Sequence, residues 1–152
     1  MTAGSSWKRA AADAIAGLAY GLLLASLSFG AIGAGHGTLI PLVVSSAPLG
    51  IGYLGAGLDA ARGTALFCML YFGPLLWMLL GWLVALPGRI TLAAGLLLLH
   101  YASAFGLVAM SDLTLRGIAQ EVPDFVFAWA PAYLLGQLGL CWRIFATSSR
   151  VK

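Results

Sequence analysis

From residue 14 to residue 58 the chain runs through 45 positions without a single Asp, Glu, Lys or Arg. Three more uncharged blocks follow, at 63–88, 90–111 and 125–142. An α-helix rises about 1.5 Å per residue, so a hydrocarbon layer about 30 Å thick takes about 20 apolar residues to cross. Each of the last three blocks has the length of one span, and the first is longer than one. Composition agrees: 61% of residues are hydrophobic, 9% are charged and the mean hydropathy is +0.97. Soluble domains carry about 25% charged residues, and a 15.8 kDa globule cannot be coated with so few. The sequence therefore predicts an all-α, polytopic integral membrane protein forming one transmembrane domain.

Four spans are expected, at about 12–32, 64–86, 90–110 and 125–142. Leu86-Pro87-Gly88-Arg89 ends one helix and lets the next begin at once, which predicts an antiparallel hairpin. The stretch 38–57 holds Pro41, Pro48, Ser45, Ser46 and glycines at 50, 52, 55 and 57. It is a poor continuous helix and reads as a re-entrant or broken segment, with a fifth full span as the alternative. Charge placement favours four. Lys8, Arg9, Arg89, Arg143, Arg150 and Lys152 then share one side and only Arg62 and Arg116 lie on the other, whereas five spans divide the cations evenly. Lys and Arg stay on the cytoplasmic side during insertion, so both termini are expected there. Lys8-Arg9 ahead of a long apolar run reads as an uncleaved signal-anchor. The Ala- and Gly-rich composition suggests a bacterial inner membrane. Trp7, Trp82 and Trp142 fall at predicted inner helix ends and Trp129 at an outer one, where amphipathic rings settle; Trp77, at mid-span, reads as packing.

Several partners and chemistries are excluded by pattern. The cations stand singly between apolar blocks, which leaves no basic patch for nucleic acid. Gly50-Ile51-Gly52-Tyr53-Leu54-Gly55 matches a dinucleotide fingerprint formally, but no strand precedes it and no acidic residue follows at the right distance, so no nucleotide is expected. Cys68 and Cys141 sit in apolar runs and read as small hydrophobes. The expected partners are the lipid bilayer and another membrane protein or a second copy. Small-residue pairs for close helix contacts occur at Gly17/Gly21, Ser26/Gly30 and Ala102/Gly106.

Three features are candidates for ligand binding. In Gly33-Ala34-Gly35-His36-Gly37-Thr38, glycines permit a tight turn, and Thr38 can cap a following helix, leaving backbone N–H groups beside the His36 imidazole. His100 lies about 15 Å from the inner surface, near the bilayer midplane, where an ionisable side chain marks either a working group or an interhelical hydrogen bond. Ser103, Ser26, Ser28 and Gln137 are its candidate partners. The polar connector 111–124 carries Asp112, Arg116, Glu121 and Asp124, which in the four-span topology share the outer face with His36, Asp59 and Arg62. The bland alternatives are a glycine-rich turn and a solvated linker. No metal-ligand spacing is present, a haem shared by His36 and His100 would need a deeply dipping turn, and no cofactor is indicated.

Enzymatic chemistry has little support, because no nucleophile stands beside a positioned base. The expected function is that of a small accessory or assembly subunit of a larger membrane complex, or of a homo-oligomer. The alternative is a small transporter or channel protomer built on the broken segment, the outer polar cluster and His100. A haem- or metal-binding protein or a membrane enzyme ranks below both.

Overall fold

The structure, a computed structural model, describes residues 3–33, 68–86, 88–110 and 123–148. They form four α-helices, and no strand occurs among them: α1 (Ala3–Gly33), α2 (Gly73–Ala85), α3 (Ile90–Met110) and α4 (Pro123–Ser148). A π-helical turn, Cys68–Phe72, leads into α2. Helix α1 starts nine residues ahead of the expected span. Its extra turns contain Ala10-Ala11-Ala12, and alanine holds a helix without help from an apolar environment. Pro74 falls in the first turn of α2, where its missing N–H forfeits no helical bond. The segment 38–57 and positions 111–122 of the connector lie outside the described residues, and Pro123 and Asp124 already belong to α4.

The predicted hairpin is present. Leu86 leaves α2 in an extended conformation and its N–H donates to the Leu83 carbonyl at 3.2 Å. Gly88 sits at φ +73°, the left-handed region that a side chain disfavours. Arg89 N–H then donates to Leu86, and Ala93 N–H donates to Arg89 at 3.0 Å as α3 begins.

Helix directions follow from facing residues. Asp13 of α1 faces Gly81 of α2, Gly17 faces Trp77 and Gly21 faces Pro74, so these two helices are antiparallel. Along α4, Tyr133 meets His100, while Leu140 and Ile144 pack with Ala93 near the start of α3. Arg143 of α4 returns to Asp13 of α1. The four helices thus alternate in direction, with the start of α1, the α2–α3 turn and the end of α4 at one end. The charged residues whose side chains are described, Lys8, Arg9, Asp13, Arg89 and Arg143, all lie at that end, four cations against one carboxylate.

Polarity is distributed inward. The core combines Leu24, Leu76, Trp77, Leu80 and Leu97 with the buried polar residues Ser28, His100, Ser103 and Gln137. The outer faces carry bulky apolar side chains, with Leu98 68% and Phe105 79% exposed. Among the described residues one helix, Trp7–Gly30, is long and apolar enough to cross a membrane, and Leu70–Ala85 and Ile90–Gly106 are shorter apolar helices. Trp7 and Trp82 touch at the charged end, with ring centroids 6.3 Å apart, and Trp142 is exposed there. Trp77 is a core residue, as expected. Trp129 departs from the expectation of an interfacial anchor: it is 6% exposed, because its ring stacks on Tyr133 inside the bundle.

Of the three small-residue pairs, Gly17/Gly21 forms a contact within the bundle. A Cβ on Gly17 would lie 2.1 Å from the Trp77 carbonyl oxygen, and one on Gly21 would lie 2.5 Å from the Pro74 Cα. Gly81 repeats the arrangement from the other side, against the Asp13 carbonyl at 2.2 Å. Ser26 and Ala102 are exposed, and no described atom approaches Gly30 or Gly106, so those pairs are not contacts within the bundle. Gly17→Leu is therefore expected to destabilise the protein by about 3 kcal/mol, the upper range for overpacking, because the obstacle is backbone. Gly95→Leu, into open space, is expected to stay within about 0.5 kcal/mol. Unfolding both variants by denaturant titration in mild detergent checks this; equal stabilities would show that the α1–α2 approach is not tight.

Candidate functional site

His100 lies ten residues beyond the start of α3 and is 0% exposed. Its Nε2 is 2.8 Å from the Tyr133 hydroxyl on α4, a hydrogen bond that either ring tautomer satisfies. The Trp77 indole of α2 stands edge-on to the imidazole, with centroids 4.9 Å apart and planes at 74°. Tyr101 tilts against it at 5.7 Å. Tyr133 is itself fixed by the Trp129 ring, 5.0 Å away and within 8° of parallel. The histidine is thus enclosed by aromatic rings from three helices.

A second hydrogen-bonded set ties α1, α3 and α4 together. The Tyr101 hydroxyl donates to Gln137 Oε1 at 2.7 Å, Gln137 Nε2 donates to the Tyr20 hydroxyl at 3.4 Å, and Tyr20 donates to the Tyr133 carbonyl at 2.8 Å. Cys141 Sγ lies 3.8 Å from the Tyr101 hydroxyl and is a free thiol. The two sets share Tyr133, whose hydroxyl serves His100 and whose carbonyl serves Tyr20. A carbonyl accepts a hydrogen bond but does not pass the proton on, so Tyr133 does not link the two sets into one relay. The Trp77 Nε1 is buried without an acceptor among the described residues, and that ring is held instead by edge contacts with His100 and Tyr20.

Beside this cluster a cleft of about 230 Å³ runs between α1, α2 and α4. Gly17, Gly81, Gly136 and Gly139 form its walls, and Tyr20 and Trp77 stand at its inner end. An ion pair between Arg143 and Asp13 bridges α4 and α1 at the charged end. Gly136 is required by the packing of Tyr20, whose ring atoms lie 2.1 to 2.5 Å from where a Cβ would stand. Tyr20 and Trp77 belong to both features, so the cleft and the histidine cluster share a wall. No group of three or more His, Cys, Asp or Glu gathers among the described residues.

Among the residues the sequence singles out, His100 is in place and buried. Its direct partner is Tyr133 rather than any of the four expected; Gln137 is one step removed, Ser28 donates to the Leu24 carbonyl of its own helix, and Ser26 is exposed. His36, Thr38, Asp59, Arg62, Asp112, Arg116 and Glu121 lie outside the described residues, and Asp124 belongs to the first turn of α4. Tyr20, Trp77, Tyr101 and Tyr133 were not expected in the site. One signal for them is present in the sequence, since Tyr133, Gln137 and Cys141 recur every four residues and so share one helix face. No family model matches the chain, and neither a curated protein nor a solved structure does.

The His100–Tyr133 pair is expected to show as a coupling energy. In a cycle of His100→Leu, Tyr133→Phe and the double variant, a coupling of about 0.5–1.5 kcal/mol is expected, the range for hydrogen bonds between helices in a membrane bundle. Zero coupling in detergent unfolding would mean that the bond does not hold the helices together.

Proposed function

We propose that the chain is a four-span membrane protein, both termini cytoplasmic, that serves as an accessory or assembly subunit of a larger membrane complex. The observation that carries this reading is the inverted distribution of polarity. Hydrogen-bonding side chains face inward around His100, bulky apolar ones face outward on every helix, and the described charges gather at one end. Hydrocarbon rewards such an exterior, and water does not.

The antiparallel relation of α1 and α2 supports four spans. A single full crossing between them would make these helices parallel, whereas Gly33 and Cys68 lie toward the same end of the bundle. That end is opposite the cation-rich one, which the positive-inside rule assigns to the cytoplasm. The ends of α1 and α3, Gly33 and Met110, lie at that far end, the side that a periplasmic partner would approach.

The enclosure of His100 favours a subunit over a conduit. A pathway needs polar groups lining continuous space, and here the polar groups bond to one another while the cleft stops at Tyr20 and Trp77. Exposed small-residue faces at Ser26/Gly30 and Ala102/Gly106 leave room for a neighbouring helix.

Membranes solubilised in mild detergent test the assignment. Tagged protein is expected to migrate on native gels within a complex several times its own mass of 15.8 kDa, crosslinked to a different membrane protein, and a reporter fused after Lys152 is expected to show cytoplasmic activity. Migration as a monomer after crosslinking would overturn the subunit reading, and a reporter active on the outer side would overturn the topology.

A further inference from the structure

We infer that the cleft between α1 and α4 is a binding groove for the acyl chain of one anionic phospholipid. The inference rests on the membrane reading above. Helix α2 forms the back of the cleft through Trp77 and Val84, both buried, and its lips are Ala16 of α1 and Gly139 of α4, both exposed. The Arg143–Asp13 pair straps α4 to α1 at the charged end, so the space opens sideways, between the two helices and toward the bilayer. From Asp13 to Tyr20 the groove runs two helical turns, roughly 10 Å at 1.5 Å per residue.

Its size and lining suit a chain rather than a soluble metabolite. At about 230 Å³ it exceeds the roughly 150 Å³ cavity that takes a benzene ring but falls below the roughly 300 Å³ at which drug-sized pockets begin. Four of the eleven lining residues are glycines, and the polar side chains among them are the rim pair, Tyr20, whose hydroxyl already donates to the Tyr133 carbonyl, and Trp77, whose indole N–H is buried. No set of convergent donors is aimed at the middle of the groove. A flexible apolar segment fills such a space with the fewest unmet hydrogen bonds.

Charge complementarity selects the headgroup. The groove ends at the Arg143–Asp13 pair, at the end of the bundle that also carries Lys8, Arg9 and Arg89, with Asp13 as the one carboxylate there whose side chain is described. A phosphate with no compensating amine, as in phosphatidylglycerol, is attracted to that end, and a zwitterionic headgroup much less so. The chain would then lie between Ala16 and Gly139 with its phosphate toward the cationic end.

Native mass spectrometry of the full chain, purified in detergent and equilibrated with equal phosphatidylglycerol and phosphatidylcholine, tests the groove. One retained lipid is expected, with phosphatidylglycerol preferred about fivefold, the factor that one basic residue near a surface supplies. Gly139→Leu is expected to cut retention about tenfold, by filling the groove with a side chain about as large as the segment it displaces, and to leave the melting temperature unchanged, because nothing stands within 4 Å of that Cβ. The charge-neutral pair Asp13→Asn with Arg143→Gln keeps the rim's shape and is expected to leave the phosphatidylglycerol preference largely intact, since Lys8, Arg9 and Arg89 persist. Adding Lys8→Gln, Arg9→Gln and Arg89→Gln is expected to bring the two lipids to parity. Equal retention by wild type and Gly139→Leu, or displacement by inorganic phosphate alone, would overturn the inference. A chain found in membranes but retaining no lipid overturns the groove and leaves the membrane reading standing; a chain that stays in solution without detergent overturns both.

Discussion

The approach of α1 to α2 sets the geometry on which the other contacts depend. Three glycines, Gly17, Gly21 and Gly81, bring the two backbones so close that a methyl group on any of them would collide with main-chain atoms of the facing helix. In the membrane setting proposed above there is no apolar surface to be hidden from water, so helices associate through dispersion contacts and hydrogen bonds. Close backbone approach multiplies the first, because each atom pair adds only about 0.1–0.2 kcal/mol and many are needed. It also presents Tyr20 and Trp77 side by side, with centroids 5.3 Å apart. Those two rings form the surface against which α3 and α4 assemble.

The interior built on that surface is polar by hydrogen-bonding capacity and apolar by exposure to water. Each hydrogen bond there is individually modest, about 0.6 kcal/mol on average where such bonds have been measured in a membrane bundle. Their placement matters more than their sum. His100, Tyr133, Gln137, Tyr20 and Tyr101 each bond across a helix boundary, so a rotation or axial slip of one helix would break several bonds at once and strand their groups in a medium without water. The network therefore specifies register, while the glycines set distance.

Much of this was legible in the sequence, and the reasons differ by element. Helix positions followed from uncharged length, and the hairpin from Pro87-Gly88, because each reflects a local requirement of the backbone. Gly17/Gly21 was legible as a packing pair, yet spacing alone did not separate it from Ser26/Gly30 and Ala102/Gly106; what distinguishes it is Gly81 and the Pro74 and Trp77 backbone on the facing helix, a property of two segments together. His100 stood out because an ionisable residue in an apolar run is rare. Its partner did not, since tyrosines are routine in such helices and Tyr133 acquires meaning only once α4 is laid against α3. The Tyr133, Gln137, Cys141 stripe was readable in principle, as a polar face on a helix otherwise apolar.

The Arg143–Asp13 pair joins positions 130 residues apart, the first helix to the last. A chain inserted from its N-terminus exposes Asp13 well before Arg143 has been synthesised, and the bonds from Tyr20 to Tyr133 and Gln137 wait equally long. Helices α1 and α2 can settle early on their glycine contact, but the bundle closes only when the final turns of α4 arrive. During that interval the polar inner faces of α1 and α3 are without their partners. A chain halted before residue 143 would lack the Arg143–Asp13 pair, and one halted before α4 would also leave Tyr20 and His100 without their α4 partners.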